Sequence, residues 1–444
     1  MLIVENSVEK QGNECPLAFL LGVVRCRSFS AKIGLPRKKE EVMDQNQLKA
    51  QANAKQENLV SIRRALHQVP EFGLDLPKTL AIVLKEVEGL GEVTLGKDMT
   101  AAAVVIRGSQ PGPTVLLRAD MDALAVEEDT GLDFASTNGY MHACGHDLHM
   151  AIGVGAAQLI AENKAQLKGN VVMFFQPGEE GHDGAGVMLS QDMHLASGEM
   201  PIAAFGIHVF SIPEPGIFLT RKGTLMASAG DMLVTLKGKG GHGSMPWGAK
   251  DPITGMIEIL SSLQSYIAKN FDALDPIVLN VGWIKAGNDH TTNIVPESVS
   301  FGATVRSFSK KGYDETRSKI PAFIKNMAAA FELEAEIEFT PATKVLINDH
   351  AAVDRVERVT KELFGEQRYV TMDQPIPGGE DFASIVEVIP GAFIFLGAAY
   401  PGIAPQDRQA NHSNKAKFDE SVLADGAALL AALAFDALDE AAKQ

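Results

Sequence analysis

The stretch MHACGHDLHM, Met141–Met150, holds His142, Cys144, His146, Asp147 and His149, and Cys144 is the one cysteine beyond Cys26. A thiol and an imidazole two positions apart, just ahead of a helical pattern, suit three readings. They crowd a helix start, they form a reactive thiol with His142 or His146 as base, or they ligate a metal that needs further ligands from distant segments. Candidates for such ligands are Asp120 and Asp122, Glu179 and Glu180, His208, and His412. Each taken alone has an ordinary explanation: a structural histidine, an inert cysteine, a solvated acidic pair. Their positions favour the metal. Asp120/Asp122, Glu179/Glu180 and His208 fall at or just after the ends of predicted buried strands, and in a parallel sheet all carboxyl ends open on one edge, where ligands bind. Thiolate, imidazole and carboxylate together suit zinc, or cobalt, nickel or manganese. A thiolate or carboxylate can bridge two ions, and ions ~3.5–4 Å apart suit hydrolysis. Adjacent glutamates allow one to bind metal while the other takes a proton from the attacking water.

The elements that must position these groups follow from periodicity. A helical pattern begins near Asn46, with Leu59, Ile62 and Leu66 on one face, and stops before Pro70. A second helix, PKTLAIVLKEVEGLG, ends on glycines. Val115–Leu117 reads as a buried strand running into a loop with Asp120 and Asp122. The next helix has Asp147 as its expected cap and Gly169 as its stop. NVVMFFQPGEEG, IAAFGIHVF and GAFIFLGAAY are continuous apolar strands. Such strands alternating with helices predict an α/β fold with a mostly parallel sheet covered on both faces. Residues 228–340 read differently. Strand Met232–Leu236, helix Pro252–Ala268, strands Ile277–Trp283 and Ser298–Arg306, helix Tyr313–Ala330 and strand Glu334–Phe339 make a βαββαβ unit of ferredoxin-like order, inserted into the α/β domain. The expected division is therefore 43–227 and 341–444 for one domain and 228–340 for the other. The closing Ala/Leu helix reads as core.

Composition sets outer bounds. The 444-residue chain carries a net charge of −16, which disfavours nucleic acid and anionic membrane as partners. With Cys15, Cys26 and Cys144 as the only cysteines, a disulfide framework is not expected, and a reducing, cytoplasmic compartment is. LAFLLGVV near the N-terminus is short, and Glu5, Glu9 and Glu14 precede it where a signal peptide wants basic residues. Met43 is the expected start, with residues 1–42 an extension, disordered or outside the native start. GKGGHG at Gly238–Gly243 fits G-x-G-x-x-G, but Pro246 interrupts the way to the next helix, which argues against a dinucleotide. The chain contains no H-E-x-x-H, P-loop or deaminase motif.

The motifs HQVPEFG, RADMDALAVEE, MHACGHDLHM, FQPGEEG, GIHVF, GKGGHGSMP, TNIVPE, GGEDFA and NHS run in this order from about residue 67 to 413. In that order the sequence resembles the zinc-dependent aminoacylase/carboxypeptidase family, in the branch of hippurate hydrolases, N-acyl-amino-acid amidohydrolases and auxin-conjugate hydrolases. The resemblance implies a catalytic domain with a bimetal centre and a lid domain that dimerises, giving a homodimer or homotetramer. It implies two divalent ions per subunit held by Cys144, His146, Glu180, His208 and His412, with zinc the expected metal. Glu179 becomes the general base and acid, and Asp122 a carboxylate orienting a ligand histidine. His242 becomes the oxyanion-stabilising lid histidine, acting in relatives across the dimer interface. Asn293 and Arg306 hold the substrate carboxylate, and the backbone of Gly378 and Gly379 lines the pocket. The implied reaction is hydrolysis of an N-acyl amino acid to a carboxylic acid and an amino acid; a dipeptidase, carboxypeptidase or carbamoyl-amide hydrolase is the alternative. ALAVEE lacks a proline usual in the family, and FGLDLPKT a glutamate; neither touches the implied ligands.

Overall fold

A computed structural model describes residues 43–340 and 343–443. The expectations for residues 1–42 lie outside the described residues. The first element is the helix Gln45–His67, capped by the Asp44 carboxylate, with Leu59, Ile62 and Leu66 buried as the spacing predicted. Asp44 accepts the backbone N–H of Asn46 at 2.9 Å, so one otherwise orphaned helix donor is satisfied.

The main sheet has eight strands in the order Glu92–Leu95, Ala102–Arg107, Lys168–Gln176, Gln110–Asp120, Ala203–Phe210, Gly391–Gly397, Phe218–Thr220, Tyr369–Thr371. Its four central strands, Lys168–Gln176 to Gly391–Gly397, are mutually parallel, and antiparallel pairings flank them. The sheet is thus mixed, with the parallel part where the candidate residues lie. Its strands bury both faces. Val115 and Leu117 point into one apolar cluster with the helices Gln45–His67, His146–Glu162 and Leu423–Ala441, while Leu116 joins a second cluster with Phe382 and Ile385. This explains why the strands read as continuous apolar runs rather than alternating ones.

Among the described residues, Glu420–Ala441 is the one segment long and apolar enough to cross a membrane. It is buried against Gln45–His67 and His146–Glu162. The closing Ala/Leu helix is therefore core.

A second sheet, wholly antiparallel, orders its strands Ile277–Ala286, Ser298–Ser307, Ser228–Lys237, Glu334–Phe339. The helices Pro252–Asn270 and Lys310–Ala330 pack on it around a separate cluster that includes Met232, Leu236, Ile259, Phe301 and Ile324. The expected strand–helix–strand–strand–helix–strand succession is present. Both helices start at side-chain caps: Asp251 accepts from Ile253 N at 2.9 Å and Ser309 from Gly312 N at 2.8 Å. The capping serine starts the second helix at Lys310 rather than at the expected Tyr313.

Three local expectations are corrected. Asp120 is the last residue of its strand, not part of the following loop. Asp147 does not cap its helix. Gly145 takes the cap position in left-handed conformation, and Asp147 lies in the first helical turn, buried against Arg63 Nε at 2.6 Å and His67 Nδ1 at 2.8 Å. A carboxylate committed to a buried cation is not free to receive helix N–H groups. Gly169 does not stop that helix, which ends at Glu162; it belongs to the strand Lys168–Gln176.

Candidate metal centre

The strands Gln110–Asp120, Lys168–Gln176 and Ala203–Phe210 run parallel, so Asp120, the Glu179–Glu180 turn and His208 reach the same sheet edge. The helix His146–Glu162 starts there, and the loop carrying Asn411 and His412 closes over it. Cys144 Sγ lies 3.3 Å from His208 Nε2 and 3.2 Å from His412 Nε2, and His412 Nε2 lies 3.3 Å from Glu180 Oε1. Two donor groups contain the Cys144 thiol, Cys144–His146–His208 and Cys144–Glu180–His412, and His146–Glu179–Glu180 is a further one, each with its ligand-type atoms within 4.8 Å of one another.

The ring tautomers fit metal binding. His146 donates Nδ1–H to the backbone carbonyl of Asp122 at 2.7 Å, and His208 donates Nδ1–H to that of Val209 at 2.9 Å. In each ring this leaves the Nε2 lone pair free for a cation. His146 Nε2 is buried and has no hydrogen-bond partner, which a protein interior rarely tolerates without an ion or water. The Cys144 thiol, and after it Glu180, push the His412 pKa up to about 10, so the spot stabilises added positive charge. On chemistry and orphaned donor alike, the residues fit a pair of borderline divalent cations.

Glu179 and Glu180 stand in different surroundings. Glu180 faces His412. Glu179 is buried, and burial, with Glu380 and Glu180 beside it, holds its carboxyl well above the usual range. The Asp122 carboxylate pins the turn between them, accepting Glu179 N at 3.0 Å and Glu180 N at 2.9 Å. Asp122 was expected to orient a histidine through its carboxylate. It does so chiefly through its backbone carbonyl; Oδ1 stands 3.6 Å from His146 Nδ1. His149 is committed elsewhere: its Nδ1 bonds Asp120 at 2.6 Å, and its Nε2 accepts Val209 N at 2.8 Å.

Gly145 makes the Cys144–His146 presentation possible. Its φ is +90°, and a Cβ there would come within 2.5 Å of Val209 Cγ2. Gly145→Ala is expected to destabilise the protein by about 2 kcal/mol through backbone strain and overpacking. It should lower both the thermal midpoint and metal retention; an unchanged midpoint would show that the turn tolerates a side chain.

A cavity of about 380 Å³ opens onto these groups, lined also by Phe210, Met226, Arg306, Ile376, Gly378 and Gly379. Gly379 is required by close approach, since a Cβ would lie 2.3 Å from Thr343 Oγ1. The structure thus brings Cys144, His146, Glu179, Glu180, His208, His412, Arg306, Gly378 and Gly379 together with Asp122 beneath them. It does not bring His242 or Asn293 to the cavity of their own chain. Both are exposed at the short antiparallel ribbon formed by Gly241–His242 and Ile294–Val295, where His242 Nδ1 pairs with Ser244 Oγ at 2.8 Å.

Two supporting residues escaped the sequence reading. Asn411 donates Nδ2–H to Cys144 O at 3.1 Å and to Val209 O at 2.9 Å, and accepts Ser211 N at 3.0 Å. It stitches the thiol turn to the His208 strand and leaves His412 in left-handed backbone, φ +71°. Its place beside His412 in NHS was the available signal. Arg118, fully buried, bonds Gln176 Oε1 at 2.8 Å, Asp120 Oδ2 at 2.6 Å, Glu380 Oε1 at 2.8 Å and Asp381 Oδ1 at 2.7 Å. A charged residue inside an apolar strand run, as in LLRAD, was its signal.

The profile of peptidase family M20/M25/M40 matches residues 116–436. The chain is 34% identical over 381 residues to an Arabidopsis thaliana IAA-amino acid hydrolase ILR1-like 4, covering 85% of this chain and 84% of that protein. It is 35% identical over 344 residues to an N-acetyl-L-cysteine deacetylase of Bacillus subtilis (strain 168), covering 77% and 80% respectively. Among solved structures, a Bacillus subtilis dinuclear metal binding peptidase of the M20 family superposes with a TM-score of 0.74 at 30% identity, covering 87% of this chain and 99% of that one.

Proposed function

The chain belongs to peptidase family M20/M25/M40, and from that premise we propose the chemistry its site performs. The protein is a metal-dependent amidohydrolase that cleaves the amide bond of N-acyl amino acids, releasing a carboxylic acid and a free amino acid. The observation that carries the reading is a single thiol shared by two donor groups, with the buried carboxyl of Glu179, which belongs to neither of them, close by. Cys144, His146, Glu180, His208 and His412 hold two divalent ions, with zinc favoured by the thiolate and manganese, cobalt or nickel as alternatives. Bound there, the ions supply Lewis-acid polarisation of the scissile carbonyl and of the attacking water. Glu179 takes the proton from that water and returns it to the leaving nitrogen, a task its raised pKa suits. Arg306 holds the substrate carboxylate, and an Arg fork matches that geometry; Asn293, away from the cavity of its own chain, would join it only from a partner subunit. The Gly378–Gly379 backbone lines the acyl pocket. A thiolate ligand supports a reducing, cytoplasmic compartment.

Residues 43–227 and 341–444 form the catalytic domain, and 228–340 the lid. His242 of the partner subunit donates to the developing oxyanion. Large apolar side chains exposed on the lid, Trp247 at 81%, Trp283 at 48% and Ile294 at 57%, support a homodimer or homotetramer formed through it. Sedimentation velocity is expected to find no active monomer, and Trp283→Glu to give monomers that lose turnover while keeping metal. An active monomer would remove His242 from the chemistry.

The reading is tested by incubating the purified, metal-loaded protein with N-acetyl, N-benzoyl and longer N-acyl amino acids, dipeptides and N-carbamoyl amino acids, and assaying free amino acid. Release from acylated amino acids supports it. Release from dipeptides or carbamoyl amino acids alone overturns it in favour of the related chemistries.

A further inference from the structure

A second cavity, of about 600 Å³, shares no lining residue with the metal cavity of about 380 Å³. Yet three chain segments line both in succession. Arg306 borders the first and Lys310 the second; Thr343 and Lys344 divide likewise, as do Glu380 and Ala383. The helix Phe382–Val388 therefore runs from Glu380 and Asp381, which grip Arg118, to the walls of the second cavity. Whatever occupies the second cavity bears on segments that shape the first.

The second cavity has an apolar floor and a rim of both charge signs. Val345 and Ile389 are buried there, while Ile347 and Val388 leave 42% and 51% of their surface to solvent. Lys310 and Lys344 both reach one carboxylate, Glu387, at 3.5 and 2.5 Å. Two cations share one anion, which leaves room for a second carboxylate between them. Asp314 stands one helical turn after Lys310, on the same face; among the described residues it makes no ion pair within 4.0 Å, and Arg317 is the cation that feels its charge. Asp349, also on the rim, is occupied in capping the next helix, accepting Ala352 N at 2.9 Å. The lysine pair that shares Glu387 and the Asp314 carboxylate thus stand about one turn apart above an apolar surface. A simple acid or a simple amine matches one of them; an amino acid zwitterion matches both.

We propose that this cavity binds a free amino acid with an apolar side chain, its carboxylate at Lys310 and Lys344, its ammonium at Asp314, and its side chain over Ile347 and Val388. The volume is ordinary for a small-ligand site. Such an amino acid is a product of the proposed reaction, so the cavity is a product sensor acting through the segments it shares with the metal cavity. That regulatory half rests on the amidohydrolase reading; the binding half does not.

Equilibrium dialysis of the metal-free full-length protein with radiolabelled L-leucine tests the binding half. Saturable binding is expected. It should weaken about tenfold in Asp314→Ala and in the Lys310→Ala/Lys344→Ala double variant, the loss of a charged hydrogen bond, and persist in Arg306→Ala. Isocaproate and isoamylamine, each lacking one charge, should fail to compete. No binding, binding lost in Arg306→Ala alone, or equal competition by either analogue overturns the assignment. For the regulatory half, leucine should lower kcat about fivefold without changing KM, and this effect should vanish in Asp314→Ala, whose basal rate is unchanged. Purely competitive inhibition, intact in that variant, overturns the sensor. If no acylated amino acid is hydrolysed and the dialysis result holds, the site stands and the reading of the reaction falls.

Discussion

Replacing Glu179 with glutamine is expected to leave the metal content intact and to lower kcat about 10³-fold, the range of a lost general base and acid. The substitution keeps shape and position. The turn is held by backbone N–H groups donating to Asp122, which do not depend on the Glu179 side chain. The two donor groups that share Cys144 do not include Glu179; it also stands with His146 and Glu180, where glutamine keeps a carbonyl oxygen, so elemental analysis should find the wild-type stoichiometry. What disappears is the carboxyl proposed to carry a proton between water and leaving nitrogen. KM should change little, because the proposed substrate contacts are those of Arg306 and the Gly378–Gly379 backbone. Steady-state kinetics beside metal analysis decides the matter. A residual kcat near wild type would strip Glu179 of its role and turn attention to Glu380, which lines the same cavity.

Cys144→Ala is the second large effect, and it acts on binding rather than on proton transfer. The thiol is common to both donor groups, so its removal takes a ligand from each site at once. Metal content should fall below one ion per chain and turnover with it. The fold should persist, since Cys144 sits in a turn secured independently by Asn411 donating to its backbone carbonyl and by His412 N donating to Ala143 O at 2.9 Å. Cys144→Asp, which restores an anionic ligand of different hardness, should recover part of both metal and activity. If Cys144→Ala kept full metal occupancy and lost turnover, the reactive-thiol reading of this cysteine would replace the metal reading.

The candidate residues were legible because strand ends are legible. Continuous apolar runs marked Lys168–Gln176 and Ala203–Phe210, and parallel topology does the rest by opening their carboxyl ends on one edge. The βαββαβ succession was legible for the same reason, its periodicity changing from 2 to 3.6 and back. Less legible was the turn that aims Cys144 and His146. Asp147 looked like a helix cap, and only the structure reveals that Arg63, far away in sequence, claims its carboxylate. Asp122 was read by its side chain, yet its backbone carbonyl is what reaches His146. Asn411 and Arg118 act through hydrogen bonds to remote segments, which leave no periodic trace. His242 and Asn293 stood out by motif but lie exposed at the short antiparallel ribbon that pairs Gly241–His242 with Ile294–Val295, away from the cavity of their own chain.

The central claim is that Cys144, His146, Glu180, His208 and His412 would hold two divalent ions on which amide hydrolysis depends. Its most direct measurement is a titration of zinc into the chelated protein, following release of free amino acid from the best N-acyl substrate. The account predicts no turnover without metal and activity that rises until two ions are bound per chain. Full turnover in the chelated protein, or activity complete with a single ion, would contradict it.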